Sequence, residues 1–441
     1  MLECNTSGSH AVCYPRSVRK RIIPAITRVV TSPLFISLAA LLLRAGFAWD
    51  YQRHLSRQAL SAIPFLFESG NIAVSLANGH GFASPFRVDT GPTAWMTPLY
   101  PLLLSGIMRV FGVYAFPSWV VAVTFNIAMS SLTCIPLYFA ARRIGGAGLA
   151  TTTAWLWAVF PNAILLSFQS LWDTSLSALL GATLLWATLA VAGSVRPRRW
   201  VLYGLLWGIA LMANAAVLAL FPFLLGWAAW RSRAFRNAAL ALLITAVCCV
   251  PWTARNFAVF HTFVPLRTVL GLQLWVGNNQ QAHVVWRGEQ HPIREEAERN
   301  RYVQMGEIAY MREKFSHATA YIFTHPAHEA RLISGRFVTL WAGGATAPVH
   351  DLISNPSWWF RYVLLFNLSG AMASLAGAVI LLARRHRFAW PLAAYPLVFP
   401  WAYYLTLSFP RYRHPIDPVV MLFLALALVT LVRRSIPRPA L

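Results

Sequence analysis

Two acidic residues stand where short polar stretches meet long apolar ones. Glu68 lies in Phe67-Glu68-Ser69-Gly70-Asn71-Ile72-Ala73, and Asp173 in Leu171-Trp172-Asp173-Thr174-Ser175. A carboxylate at such a place can exchange a proton or help to hold a hard cation. Each also has an ordinary reading, a solvated loop group for Glu68 and the N-cap of a following helix for Asp173. A third feature is Arg411-Tyr412-Arg413-His414-Pro415. The planar fork of an arginine suits phosphate, although such side chains also snorkel to lipid headgroups.

The composition sets what must position these groups. Of 441 residues, 57% are hydrophobic and 12% charged, against roughly 25% charged in a soluble domain. A cytosolic globular enzyme is thereby excluded, and a polytopic membrane protein is expected. The net charge of +23 would suit a nucleic-acid binder, but the basic residues fall in short clusters between apolar runs, as the positive-inside rule produces. No nucleic-acid partner is expected. Only Lys20 and Lys314 are lysines, so an individual arginine carries little weight by itself. The cysteines (4, 13, 134, 248, 249) lack metal-ligand spacing, and three sit inside apolar runs.

A spanning helix needs about 20 apolar residues, and runs of that kind bounded by arginines trace one path. After a basic cytoplasmic tail, 1–28, the first span covers about 29–49 and is too long for a signal-peptide core. Residues 50–118 form the first outer loop, in which 98–111 is an interfacial or re-entrant helix. Spans follow at about 119–141 and 148–168, and a fourth ends at Arg196, Arg198 and Arg199. Residues 201–230 form two short helices broken near Ala213 and Asn214, and another span covers 238–253. The N-terminal membrane module thus occupies 29–255, and 256–360 is an outer loop or cap with helical spacing over 294–321. Spans at 361–383, 388–407 and 418–432 complete the C-terminal membrane region, before a cytoplasmic tail, 433–441. The expectation is an all-α protein with about ten spans, both termini inside, and every acid except Glu3 at the outer face.

In order along the chain, Glu68, Asn71-Ile72-Ala73, Gly79, Gly81-Phe82, Gly91-Pro92-Thr93-Ala94-Trp95, Pro98-Leu99-Tyr100-Pro101 and Val110-Phe111-Gly112 resemble the first periplasmic loop of one group of bacterial integral-membrane glycosyltransferases. That group is the protein O-mannosyltransferase and aminoarabinose transferase superfamily, of GT-C fold. The likeness continues through Trp172-Asp173-Thr174, Leu274-Trp275-Val276-Gly277-Asn278-Asn279 and Arg411-Tyr412-Arg413-His414-Pro415. It implies an inverting transferase of the bacterial inner membrane. The enzyme would move a hexosyl or pentosyl group from a polyprenyl-phosphate donor to a lipid, glycan or protein acceptor on the periplasmic face. In the family a first-loop acid activates the acceptor, and the matching residue is Glu68, with Asp173 as the second acid. The chain departs from the aminoarabinose transferases in having a single Glu68 where they have an acidic pair, and Gly91-Pro92-Thr93-Ala94-Trp95 in place of a Lys-containing stretch. A phosphate leaving group needs positive charge rather than a general acid. Arg411, Arg413 and Arg267 are the candidates to supply it; the alternative role for Glu68 and Asp173 is to hold the acceptor or a divalent cation together. Trp95, Asn278, Asn279 and His414 are candidate substrate contacts. A tryptophan at this depth also serves as an interfacial anchor, and the two asparagines also suit a turn.

Asp50, at the end of the first span, is the rival to Glu68. His80, His291 and His325 read as loop polar groups. A transporter or flippase of lipid-linked saccharides is the other function class. It would need polar groups at midplane depth, where the spans offer Asn126, Asn162 and Asn214. A non-catalytic assembly factor would tolerate loss of both acids.

Overall fold

Helices carry most of the chain in a computed structural model that describes residues 2–5, 12–15, 28–54 and 67–435. The basic residues expected to hold the N-terminus inside, Arg16 to Arg21, lie outside the described residues, as do 55–66 of the first loop and the last six residues. One short antiparallel pair, β1 (Leu2–Asn5) with β2 (Val12–Pro15), precedes the helices.

Helix α1 (Pro33–Arg53) opens on a proline, whose missing N–H costs nothing in a first turn. Two short helices follow, α2 (Glu68–Ala77) and α3 (Leu99–Phe111). The latter is the expected 98–111 segment, apolar but too short to span. Then come α4 (Phe116–Leu132) and α5 (Cys134–Val159). Gly146, at φ 84°, breaks α5 just after Arg142 and Arg143. The chain folds back there, and the Trp157 indole N–H of the second arm donates to the Ser130 carbonyl of α4, 2.8 Å. After α6 (Pro161–Leu165), α7 (Thr174–Val191) and α8 (Pro197–Ala213), a 3-10 turn (Ala215–Leu220) leads to α9 (Phe221–Ser232) and α10 (Phe235–Phe260). Helix α10 packs on α8 over Gly204 and Gly208. A Cβ there would come within 2.5 Å of the Ala241 carbonyl oxygen and 2.4 Å of the Cys248 Cβ. Small residues one turn apart are how helices approach closely in lipid.

The region 256–360 is helical, as expected, but 294–321 is not one helix. Helices α12 (Glu296–Met305) and α13 (Glu307–Thr324) meet at Gly306, whose φ of 74° ends the first. Around them lie α11 (Leu270–Gly277), α14 (Pro326–Trp341) and α15 (Pro348–Ser354). The chain closes with α16 (Trp358–Ala383), α17 (Ala389–Leu397), α18 (Trp401–Leu405), α19 (Pro410–Arg413) and α20 (Asp417–Ser435).

Seven of these stretches are long and apolar enough to cross a membrane, with 116–159 counted as one. The other expected spans correspond to the second arm of that stretch, to the shorter α8, and to α17 with α18. The chain is a multi-pass, all-α membrane protein. Arg44, inside α1, is buried among these helices. It donates to Ser130 Oγ and to the carbonyls of Ala158 and Trp157, at 2.9–3.1 Å. Pro161 has no N–H to return to the helix that ends there, so at the Trp157 carbonyl the guanidinium joins the Phe160 N–H, 3.3 Å, and it also satisfies the Ala158 carbonyl in an apolar interior.

Candidate active site

Two loops far apart in sequence are pinned together at one end of the bundle. Ser69 Oγ donates to the Leu171 carbonyl, 3.1 Å, and the rings of Phe67 and Trp172 meet at 4.6 Å. The residues next to these contacts are Glu68 and Asp173, and both line the same cavity, of about 860 Å³. Trp95, Arg267, Arg411 and Asn214 line it too.

Asp173 occupies the N-cap position of α7, yet its side chain makes no cap hydrogen bond. Instead its Oδ2 accepts from Ser177 Oγ and from Asn214 Nδ2, each at 2.9 Å. The helix break at Asn214 makes this possible: the chain leaves α8 in an extended conformation there, and Asn214 Oδ1 caps the 3-10 turn while its amide faces Asp173. Sequence reasoning noticed the break and missed its use. Burial pushes the Asp173 carboxyl above the usual carboxylate range, against the pull of Ser177, Asn214 and Arg267. The Glu68 carboxyl is likewise raised by burial, with its own backbone N–H and Arg411 pulling the other way. Each acid therefore has its own arginine.

The Arg411 guanidinium lies 4.1 Å above the Trp172 ring and against Phe409 and Tyr412. Among the described residues neither Arg411 nor Arg267 has a hydrogen-bond or ion-pair partner, so the donors of both forks are free to meet a ligand. Trp95 is almost fully buried in an aromatic wall with Phe86, Tyr302 and His291. His291 belongs to this cavity wall rather than to a loop surface. Burial, helped by Arg294, pushes its imidazole down to about 3. Its Nδ1 accepts from the Ile293 N–H, which leaves the ring proton on Nε2.

Four predicted residues lie elsewhere. Arg413 is 1% exposed, and its guanidinium is used up: Nε donates to Asp417 Oδ1 at 2.6 Å, Nη1 to the Leu340 and Trp341 carbonyls, and Nη2 to Asn367 Oδ1. His414 is buried between Asp417 Oδ2, 3.1 Å away, and the Trp157 ring. Asn278 is fixed by Arg336, Leu274 and Leu405, and Asn279 closes a turn to Trp275 and Gln281. These contacts hold the helices that form the cavity. The rival acid Asp50 pairs with Arg53 at 2.6 Å, with both side chains more than half exposed, and it does not line the cavity. His80 is exposed, and His325 stacks on Tyr321 at the end of α13.

No group of three or more His, Cys, Asp or Glu converges among the described residues. The carboxylates that face the cavity are Glu68 and Asp173. They fit a hard cation that takes one or two carboxylates and completes its shell with water and phosphate oxygens.

The sequence model of a family described as dolichyl-phosphate-mannose-protein mannosyltransferase matches residues 95–254, a stretch that holds Trp95, Asp173 and Asn214. No curated protein matches the chain. Solved structures of the Archaeoglobus fulgidus oligosaccharyltransferase superpose on it. The complex with Zn and sulfate does so with a TM-score of 0.51 at 13% identity, over 90% of this chain and 49% of that one. The form tethered to an acceptor peptide with the NVT sequon gives 0.53 at 13%, over 91% and 50%. AglB with an inhibitory peptide and a dolichol-phosphate gives 0.52 at 12%, over 93% and 52%. The chain spans about half the length of these structures, and what it shares with them is the fold.

Proposed function

We propose that this GT-C chain is an inverting glycosyltransferase that moves a sugar from a polyprenyl-phosphate donor to an envelope acceptor. The observation that carries the reading is the pairing, in one cavity, of two carboxylates with two arginines whose donors are unused. Glu68 takes the proton of the acceptor hydroxyl as its oxygen attacks the anomeric carbon. The bond from that carbon to the phosphate oxygen breaks on the opposite face, so the configuration inverts. The lipid phosphate leaves as an anion, needs no general acid, and is met by Arg411 and Arg267. Asp173, fixed on one oxygen by Ser177 and Asn214, presents the other to the acceptor. A divalent ion held by Glu68 and Asp173 would add charge at the leaving phosphate. The arginine clusters between spans support the orientation: a bacterial inner membrane, both termini cytoplasmic, and the cavity open to the periplasm. The units remain those of the sequence reading, a membrane module over 29–255, a cap over 256–360 and a C-terminal membrane region over 361–432.

The few asparagines that the spans offer to a transporter reading each already have a side-chain partner. Asn126 bonds Tyr100, Asn162 bonds Asn367, and Asn214 bonds Asp173.

The test is label transfer from a panel of polyprenyl-phosphate hexoses and pentoses into membrane acceptors, with the wild type beside Asp173→Asn. Transfer by the wild type and a loss of about 10²-fold or more in the variant support the reading. Equal transfer by both removes Asp173 from the site. The Arg411→Ala variant is expected to raise the donor KM about tenfold or more, the worth of a charged hydrogen bond, and to lower kcat at saturating donor by a smaller factor. An unchanged donor KM would return Arg411 to the role of lipid anchor.

A further inference from the structure

One buried carboxylate outside the cavity gathers three of the segments that form its wall. Glu307, at the start of α13, is 5% exposed. Its Oε2 accepts from Thr93 Oγ and from the Tyr302 hydroxyl, and its Oε1 from the Ala94 N–H at 2.8 Å and from Thr268 Oγ. Both oxygens are thereby committed. Thr93 and Ala94 immediately precede Trp95, and Thr268 immediately follows Arg267.

The connections continue past the carboxylate. Thr93 Oγ, which donates to Glu307, also accepts from the Trp95 N–H at 3.0 Å, and the Thr268 N–H donates to the Ala94 carbonyl at 3.0 Å. Arg255 holds the same strip from the other side through the carbonyls of Thr93 and Phe82, both at 2.7 Å. Behind the Arg267 loop, α11 lies so close to α13 that a Cβ on Gly271 would stand 1.9 Å from the Met311 carbonyl oxygen. Arg267 and Trp95 are thus mounted on backbone that ends in a single anionic group.

We infer that Glu307 is a positioning residue: it sets Arg267 and Trp95 against the cavity by tying the 93–95 strip, the 267–268 loop and the α12–α13 pair to one carboxylate. A buried anion with four donors is rigid, because turning it away would strand all four in an apolar surround. The lipid-phosphate half of the inference rests on the function proposed above. The mechanical half does not.

The experiment uses the full chain in detergent and two readouts. Hydrogen exchange at peptides covering 93–95 and 267–270 reports whether the carboxylate holds these segments, with no ligand needed. Binding of a radiolabelled polyprenyl monophosphate reports whether that hold matters to Arg267. Four variants are compared: Glu307→Gln, Thr268→Val, which cuts only the branch to the Arg267 loop, Thr268→Ser, which keeps the hydroxyl, and Lys314→Met. The last breaks the buried Lys314–Glu298 ion pair of the same helices, 2.6 Å, without touching Glu307.

Glu307→Gln and Thr268→Val are expected to speed exchange at 267–270 and to weaken lipid-phosphate binding, each about tenfold, or 1.4 kcal/mol. Thr268→Ser should match the wild type, and Lys314→Met should move neither readout. Three results overturn the inference: unchanged exchange in Thr268→Val, faster exchange with unchanged binding, or Lys314→Met reproducing both effects. A wild type that binds no polyprenyl phosphate removes the proposed donor instead, and exchange alone then decides whether Glu307 holds the Arg267 loop.

Discussion

Glu68→Gln is expected to lower kcat by about 10²–10⁴-fold, the usual contribution of a positioned base, with the donor KM little changed. The amide keeps the shape of the side chain and cannot take a proton. The pH profile supplies a second signature. Burial raises the Glu68 carboxyl above its ordinary value, so the wild-type kcat should rise with pH through a region above the ordinary glutamate range and level off once Glu68 is ionised. In the variant that rising limb should be absent. Stability should run the other way. A carboxyl raised in the folded state binds its proton more tightly there than in the unfolded chain. Its contribution is therefore fully present below the unfolded value and is lost as pH rises through the folded one. Removing the charge should leave the thermal midpoint at neutral pH unchanged or higher. Inactivity with a normal melt marks a working group, whereas inactivity with a collapsed melt would mean that Glu68 is structural.

The second large effect belongs to the buried Arg413–Asp417 pair at the start of the last helix. Asp417→Asn leaves Arg413 charged, buried and without its carboxylate, and breaking such a pair typically costs about 3–5 kcal/mol. The measurement is loss of folded protein on heating in detergent, followed by size-exclusion chromatography. Arg411→Ala, two residues from Arg413, should melt like the wild type. If both variants melted alike, the division between a ligand-facing and a structural arginine would fail.

That division explains where sequence reading stopped. Taking Arg411 and Arg413 as one clamp fails because residues two apart on a helix point to nearly opposite sides. Arg411 therefore faces the cavity and Arg413 the interior, while the spacing of Arg413 to Asp417, one turn apart, already held the pair. Bilayer thickness and turn residues are local constraints, so the spans, the fold-back near Arg143 and the short loop at Asp173 were legible from runs of apolar residues alone. Glu68 and Asp173 were legible as acids at the ends of such runs. The partner of Asn278 is out of reach of any local spacing, because Arg336 lies 58 residues away. Glu307 is invisible in the sequence for the same reason, since its donors come from positions 93, 94, 268 and 302. The break at Gly306 was missed because the apolar spacing continues across it and only the backbone turns.

The arginine inside α1 bears on the order in which the chain assembles. A centrally placed arginine costs an inserting helix about 2.5–3.5 kcal/mol, and beyond the Ala40 carbonyl of its own helix the groups that satisfy Arg44 belong to α4 and to the second arm of α5, more than eighty residues downstream. The first helix thus enters the bilayer unfinished. Its contacts to the Trp157 and Ala158 carbonyls need the turn at Gly146 to have brought them back beside it, so α1, α4 and α5 are expected to settle together. Arg44→Leu should ease the insertion of α1 on its own and take the guanidinium donors away from the Trp157 and Ala158 carbonyls, trading early membrane entry for a weaker finished bundle.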